Sequence, residues 1–228
     1  MTDFTPLDNP IWNALTTEHQ ALAESEGLAR RYPSDVSPLA GMAEYTPAAF
    51  ADLAKIVAPQ RTVALFTTKP IAVPSGWHVK LARRIEQMVC TRPADYSPTP
   101  MVPLREADVP EMLELTAATK PGPFLPNTIR MGPYFGIRSA DGGRKLASMA
   151  GERLRLTRFT EVSAVCTSPA FRGRGYSRTL VGSLAAEILR SGRTPFLHVK
   201  TENQARLLYE KIGFQVRCGI AFTLITRL

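Results

Sequence analysis

Arg172, Gly173, Arg174, Gly175, Tyr176, Ser177 and Arg178 are the residues whose types and spacing most clearly suit chemistry. The two glycines let the backbone take φ > 0 or come close to a ligand, and the arginines around them supply positive charge. A helix starting at Tyr176 would turn its unpaired first-turn N–H groups toward the same place, which is how a fold holds a phosphate or pyrophosphate. Spacing excludes two well-known phosphate motifs. No lysine follows either glycine as a P-loop requires, and Arg178 stands where a dinucleotide fingerprint needs its third glycine or alanine.

The elements that must position this stretch are legible on both sides of it. Residues 162–167, Val-Ser-Ala-Val-Cys-Thr, read as a buried strand that Ser168 and Pro169 stop. After the glycines, Leu180, Val181, Leu184, Ala185, Ile188 and Leu189 recur at helical spacing, so a helix is predicted over 176–189, closed by Ser191-Gly192. A strand over 195–199 and a short helix over 204–212, ended by Gly213, follow. Upstream, the pattern predicts strands at 101–104, 134–138 and 145–151, with Asp141-Gly142-Gly143 as a hairpin turn. A helix after Asp108 would have that residue as N-cap and Glu111 completing a capping box. The loop carrying Pro121, Pro123 and Pro126 either folds Phe124 and Leu125 inward or borders a substrate. Residues 215–227 read as two strands around a turn near Gly219.

Arg172, Gly175 and Ser177 form Arg-x-x-Gly-x-small, which resembles the pyrophosphate loop Gln/Arg-x-x-Gly-x-Gly/Ala of the GNAT superfamily of N-acetyltransferases, with serine replacing the usual last residue. A second motif follows in the correct order. Asn203, Ala205, Leu208, Tyr209, Gly213 and Phe214 resemble that family's Asn-x-x-Ala-x-x-Leu-Tyr-x-x-x-Gly-Phe pattern, although the alanine comes one residue early and Arg206 fills its place. The resemblance covers about residues 100–228 and is closest to the subgroup containing the C-terminal domains of glycine N-acyltransferases. It implies an α/β (α+β) fold with a central mixed, mostly antiparallel twisted sheet flanked by helices. It also implies acetyl-CoA as acyl donor, an amine acceptor that is a small molecule or a peptide, direct attack in a ternary complex, and no metal.

The resemblance assigns roles residue by residue. Glu161 lies where family members with a catalytic glutamate carry it, as general base, directly or through water; the alternative is a carboxylate paired with Arg158 or another arginine. An amine of pKa about 10.4 is almost wholly protonated at pH 7, so removing its proton matters. Tyr209 lies where the family keeps the acid that protonates the departing sulfur. Main-chain groups of Val165, Cys166 and Thr167 would bind the pantetheine amides as an added strand and stabilise the oxyanion. The backbone of Gly173 to Arg178, with Arg172 and Arg174, would hold the pyrophosphate, and Asn203 would bond the cofactor or cap its helix. Cys166 reads as an apolar filler rather than a nucleophile, and His198 as structural.

Composition sets the frame. The chain has 228 residues, 44% apolar, and a net charge of +8. Residues 1–100 carry nine Lys/Arg against ten Asp/Glu, whereas residues 101–228 carry nineteen against ten, so the positive excess lies with the phosphate-type loop. That suits a polyanionic ligand or an ordinary basic surface. Neither a basic run interleaved with aromatics nor a long apolar run is present, which argues against nucleic acid and membrane partners; a cytoplasmic monomer or homodimer is expected. Three cysteines without metal spacing suit reduced thiols. The first half predicts a helix over 10–31, a helix over 48–57 begun by Thr46-Pro47, a strand over 62–67 and a strand ending near Val89. The proline-rich stretch 92–103 marks a boundary between an accessory α/β region, 1–98, and an N-acetyltransferase domain, 99–228. Thr46-Pro47 before an apolar helix echoes residues 107–115, as a degenerate partial copy of the fold would. A non-catalytic acyl-CoA-binding module is the alternative function.

Overall fold

The computed structural model describes residues 2–94, 100–139 and 145–228. The expected boundary at 98/99 and the Asp141-Gly142-Gly143 turn lie outside them. In chain order the elements are α1 (Pro10–Thr16), β1 (Glu24–Glu26), β2 (Ala29–Arg31), β3 (Ala40–Met42), α2 (Pro47–Ile56), β4 (Thr62–Thr67), β5 (Trp77–Val89), β6 (Val102–Leu104), α3 (Val109–Thr119), β7 (Tyr134–Arg138), β8 (Leu146–Leu156), β9 (Phe159–Thr167), α4 (Tyr176–Arg190), β10 (Thr194–Lys200), α5 (Ala205–Ile212) and β11 (Gln215–Arg227).

Eight strands form one sheet in the order β4-β11-β5-β10-β9-β8-β7-β6, and β1-β2-β3 form a small separate one. Every pair in the large sheet is antiparallel except β9 with β10. This is the mixed, mostly antiparallel sheet flanked by helices that the sequence predicts. β4 and β5 come from the first half of the chain, and β5 lies between β11 and β10.

The helices cover the sheet with the apolar faces their spacing sets. Leu180, Val181, Leu184 and Ile188 of α4 and Ile212 of α5 pack with Val162, Leu197 and Val199. Burying each such side chain contributes roughly 1.5–3 kcal/mol. Ile11 and Leu15 of α1 pack with Phe159 and Phe196, while Met112 and Leu115 of α3 pack with Tyr134 and Cys166. Thr46 caps α2 as its side-chain type predicts, accepting from the Ala49 N–H at 3.3 Å.

Four expectations are corrected. The helix over 10–31 ends at Thr16: Thr17 leaves helical geometry (φ −126°, ψ −108°), the His19 N–H returns to the Ala14 carbonyl, and the chain then turns into the β1-β2 hairpin. The closing segment is one strand of 13 residues. Gly219 lies within its pairing to β5, where a Cβ would come within 2.2 Å of the Arg84 guanidinium, so this glycine makes room rather than a turn. Asp108 and Glu111 form no capping box on α3: both pair with Arg138, at 2.6 and 2.7 Å, and Glu111 also accepts from the Leu146 N–H. The strand expected over 145–151 runs on to Leu156, so β9 begins earlier, at Phe159.

Candidate active site

β9 departs from regular pairing on both edges, and the candidate site lies where it does. Toward β10 the parallel register ends at Phe196↔Glu161. Beyond it β10 continues against β5, so those main-chain groups of residues 162–167 that point away from β8 face an opening. Toward β8 the register passes from Gly151↔Ser163 to Met149↔Cys166, leaving Ala164 and Val165 opposite Ala150. Ala164 takes a φ of +52° within this bulge, a left-handed conformation that costs an L-residue about 1–2 kcal/mol. Such a conformation re-aims the peptide groups beside it.

The glycine loop meets the end of β9. Phe171 to Arg178 with Thr167 and Leu208 line a recess of about 370 Å³. Gly173 and Gly175 both have φ of +78°, and a Cβ added to either would meet nothing within 4 Å. Glycine is required there by conformation and by what approaches from outside, not by crowding within the protein. Gly175 is the N-cap of α4, and no side-chain cap hydrogen bond is made from that position. Ser177, the departure from the family pattern, bonds Thr167 across 2.8 Å, and Thr167 bonds Ser148 at 2.8 Å, so the helix start is tied to β9. The Arg174 guanidinium lies 5.1 Å from the centre of the Phe171 ring, and Arg172 borders both this recess and the larger cavity beside it.

That larger cavity, about 610 Å³, runs along the opening in β9 and is bordered by Val165, Tyr209, Asn203, Arg153, His198 and the loop 120–123. Tyr209 is 8% exposed, and burial pushes its phenol up to about 12. Among the described residues no hydrogen bond to its hydroxyl is formed. Asn203 accepts from the Ala205 N–H at 3.0 Å, which is the capping behaviour expected of it, and it also borders the cavity. Phe124 folds inward against Tyr134, while Pro121 and Pro123 border the cavity. Cys166 is buried, and that burial pushes its thiol up to about 11, unsuited to nucleophilic attack.

Glu161 sits below this cavity rather than on its wall. It is fully buried, bonded by Arg153 through Nε (2.8 Å) and Nη2 (2.6 Å) and by His198 Nδ1 (2.7 Å). Burial alone would raise its carboxyl, but the Arg153 charge and hydrogen bonds, with His198, outweigh burial and hold it at about 2. The partner is Arg153, opposite it on β8, not Arg158. A carboxylate held low by the Arg153 charge and the bonds from Arg153 and His198 is a weak acceptor for an amine's proton. The geometry therefore opposes the direct base role expected of Glu161.

The sequence did not reveal the network around that carboxylate. His198 Nε2 lies 3.1 Å from Gln87 Nε2, which also donates to the Leu7 carbonyl at 2.9 Å. Gln87 Oε1 accepts from Arg217 at 2.8 Å, which fixes the amide's orientation. His198 Nε2 is then an acceptor and its proton is on Nδ1, donated to Glu161. Phe66 of β4 stands edge-on to His198, with ring centres 4.6 Å apart, and 5.8 Å from the Arg153 guanidinium. Nothing in the spacing around Glu161 marks it as buried, and Gln87, Phe66 and Arg153 belong to segments that only the sheet order brings together.

Sheet, bulge, splayed parallel pair and glycine loop together define a mixed α/β protein with an open edge along β9 that leads to a glycine loop. Comparison with known proteins gives the same class. The family model described as FR47-like protein matches residues 134–222. A crystal structure of a putative acetyltransferase from the GNAT family of Novosphingobium aromaticivorans is 37% identical, with 98% of this chain and 99% of that one covered and a TM-score of 0.89. The chain belongs to the GNAT family of N-acetyltransferases. A GCN5-related N-acetyltransferase from Kribbella flavida shares the fold at 13% identity, with 96% and 95% coverage and a TM-score of 0.61. A curated relative, the ribosomal protein bS18-alanine N-acetyltransferase of Haemophilus influenzae, is 43% identical over 47 residues; this match spans 20% of the present chain and 32% of that protein.

Proposed function

We propose that the protein transfers an acetyl group from acetyl-CoA to an amine by direct attack within a ternary complex. The observation that carries this reading is the continuity of two features: the opening that begins where β9 leaves β10 at Glu161↔Phe196, and the glycine loop that leads into the start of α4 at its far end. The edge of β9 that faces away from β8 suits the pantetheine amides, and the void beside Gly173 and Gly175 suits a pyrophosphate.

Acetyl-CoA would supply the activated thioester. The backbone of Gly173 to Arg178, with Arg172 and Arg174, binds its diphosphate, and the open-edge main-chain groups of the segment Val165, Cys166 and Thr167 align the donor and stabilise charge on the carbonyl oxygen. Asn203 borders the donor path. As the amine nitrogen bonds to the carbonyl carbon and the carbon–sulfur bond breaks, Tyr209 gives the sulfur its proton; the nitrogen's own proton leaves to water. A thiol of pKa near 8.5 asks little of that acid, so a reluctant phenol suffices. Glu161 holds Arg153 and His198 in place below the acceptor end and takes no proton. Residues 99–228 form the transferase unit, and residues 1–98 complete its sheet and wall the acceptor end through Phe66 and Ile85.

A thiol-release assay over a panel of amines, run beside calorimetry with acetyl-CoA, tests this reading. Binding of acetyl-CoA with amine-dependent thiol release supports it. Binding without release from any amine means an acyl-CoA-binding module instead, and no binding removes the reading altogether.

A further inference from the structure

The acceptor end of the large cavity has a particular chemistry. Its charged wall residues are Arg83, Lys120, Arg153, Arg172 and Lys200; among the described residues no carboxylate lines it. Arg172 also borders the phosphate recess and belongs to the donor. Arg153 is different. Its Nε and Nη2 are committed to Glu161, its side chain is 13% exposed, and Nη1 has no hydrogen-bond partner among the described residues while the residue borders the cavity. A guanidinium so fixed presents a rigid donor edge to whatever enters. Around it the wall is apolar, with Phe66, Ile85, Phe222 and Leu224.

We infer that the acceptor is a small amine bearing a carboxylate and a large apolar group, with the carboxylate on Arg153 and the apolar group against Phe66 and Phe222. This rests on the acetyl-transfer reading and specifies its substrate. An ammonium alone meets only like charge in this cavity, which disfavours the protonated amine and favours the reactive neutral form. A carboxylate on the same molecule supplies the attraction that binding needs. Glycine has the charge but would leave the aromatic wall uncovered.

The test compares phenylalanine, phenylalaninamide, phenethylamine and glycine as acceptors for the wild-type protein at saturating acetyl-CoA. A charge-assisted contact of this kind predicts that kcat/KM for phenylalanine exceeds those for the amide and phenethylamine by about 30-fold. It should exceed that for glycine by about 10-fold, from burial of the ring. Arg153→Lys, which keeps the charge beside Glu161, should cut the preference over the amide to below about 5-fold without changing acetyl-CoA affinity. Neutral amines used as well as phenylalanine would overturn the inference. Calorimetry of 3-phenylpropanoate and 3-phenylpropanamide on the CoA-bound protein reads the same site without turnover. Tighter binding of the acid supports the carboxylate site, and equal binding refutes it. A protein that binds the acid but releases no thiol with any amine would refute acetyl transfer and leave the carboxylate site standing.

Discussion

Replacing Glu161 with glutamine separates an anchoring carboxylate from a catalytic base. The folded carboxyl has a pKa of about 2 against an ordinary 4.5. Because the folded value is the lower one, the ionised group contributes stability that is fully present above pH 4.5 and lost as pH falls toward 2. The difference corresponds to roughly 3 kcal/mol. Glutamine removes that contribution and leaves Arg153 without its buried partner, a loss of about 3–5 kcal/mol by the usual measure of such pairs. For a chain of 228 residues each kcal/mol shifts Tm by about 2–4 °C, so the variant should melt about 6–20 °C lower at pH 7. The measurement is Tm by calorimetry or circular dichroism for both proteins from pH 7 down to pH 2.5. The gap should be constant above pH 5 and should narrow below it, as the wild type loses what the variant never had. A Tm within 2 °C of wild type at pH 7, combined with a large fall in kcat, would refute the anchoring role and return Glu161 to proton transfer.

Two further outcomes follow from the loop and the tyrosine. Gly175→Val forces a β-branched residue to a φ of +78° and fills the void a ligand would enter. Loss of two backbone contacts to phosphate should raise the acetyl-CoA Kd about 100-fold, against a few-fold for Arg174→Ala, whose guanidinium rests on Phe171; comparable effects in calorimetry would mean that side-chain charge carries the binding. Tyr209→Phe removes a hydroxyl with no partner among the described residues, so Tm should move by less than about 2 °C, while kcat should fall about 10- to 1000-fold. An unchanged kcat in stopped-flow thiol release would leave Tyr209 as a packing residue only.

Local physics made the donor end legible in advance. Gly173, Gly175, Ser168-Pro169 and the apolar spacing of α4 all act within a few residues of one another, so composition and order suffice to place them. The acceptor end was not legible, because its parts come from β4, β5, β8 and β10 and meet only through the strand order. Gln87 reads as one polar residue in a strand, yet it orients His198. Arg153 is one of several arginines near the β8-β9 turn, and only the register places it opposite Glu161. Gly219 misled for a related reason: glycine signals a turn when the neighbours are local, whereas here it answers to Arg84 on the adjacent strand.

The site arises from β9 being a poor strand at the right place. Had its pairing with β10 continued past Glu161↔Phe196, its N–H groups would be spent on the sheet and none would remain for a ligand. Had the bulge at Ala164 been absent, parity would carry Glu161, Ser163, Val165 and Thr167 to one face. Instead Val162 and Val165, an odd number of residues apart, both lie in the α4 cluster, while Ala164 and Cys166 pack with α3. The strain at Ala164 is borne because β8 and α3 hold the strand on one side, and Ser177 holds its end through Thr167. Donor and acceptor ends are thus two consequences of one interruption. Changes that regularise β9 should damage both together, whereas changes at Arg153 or Gly175 should damage one alone.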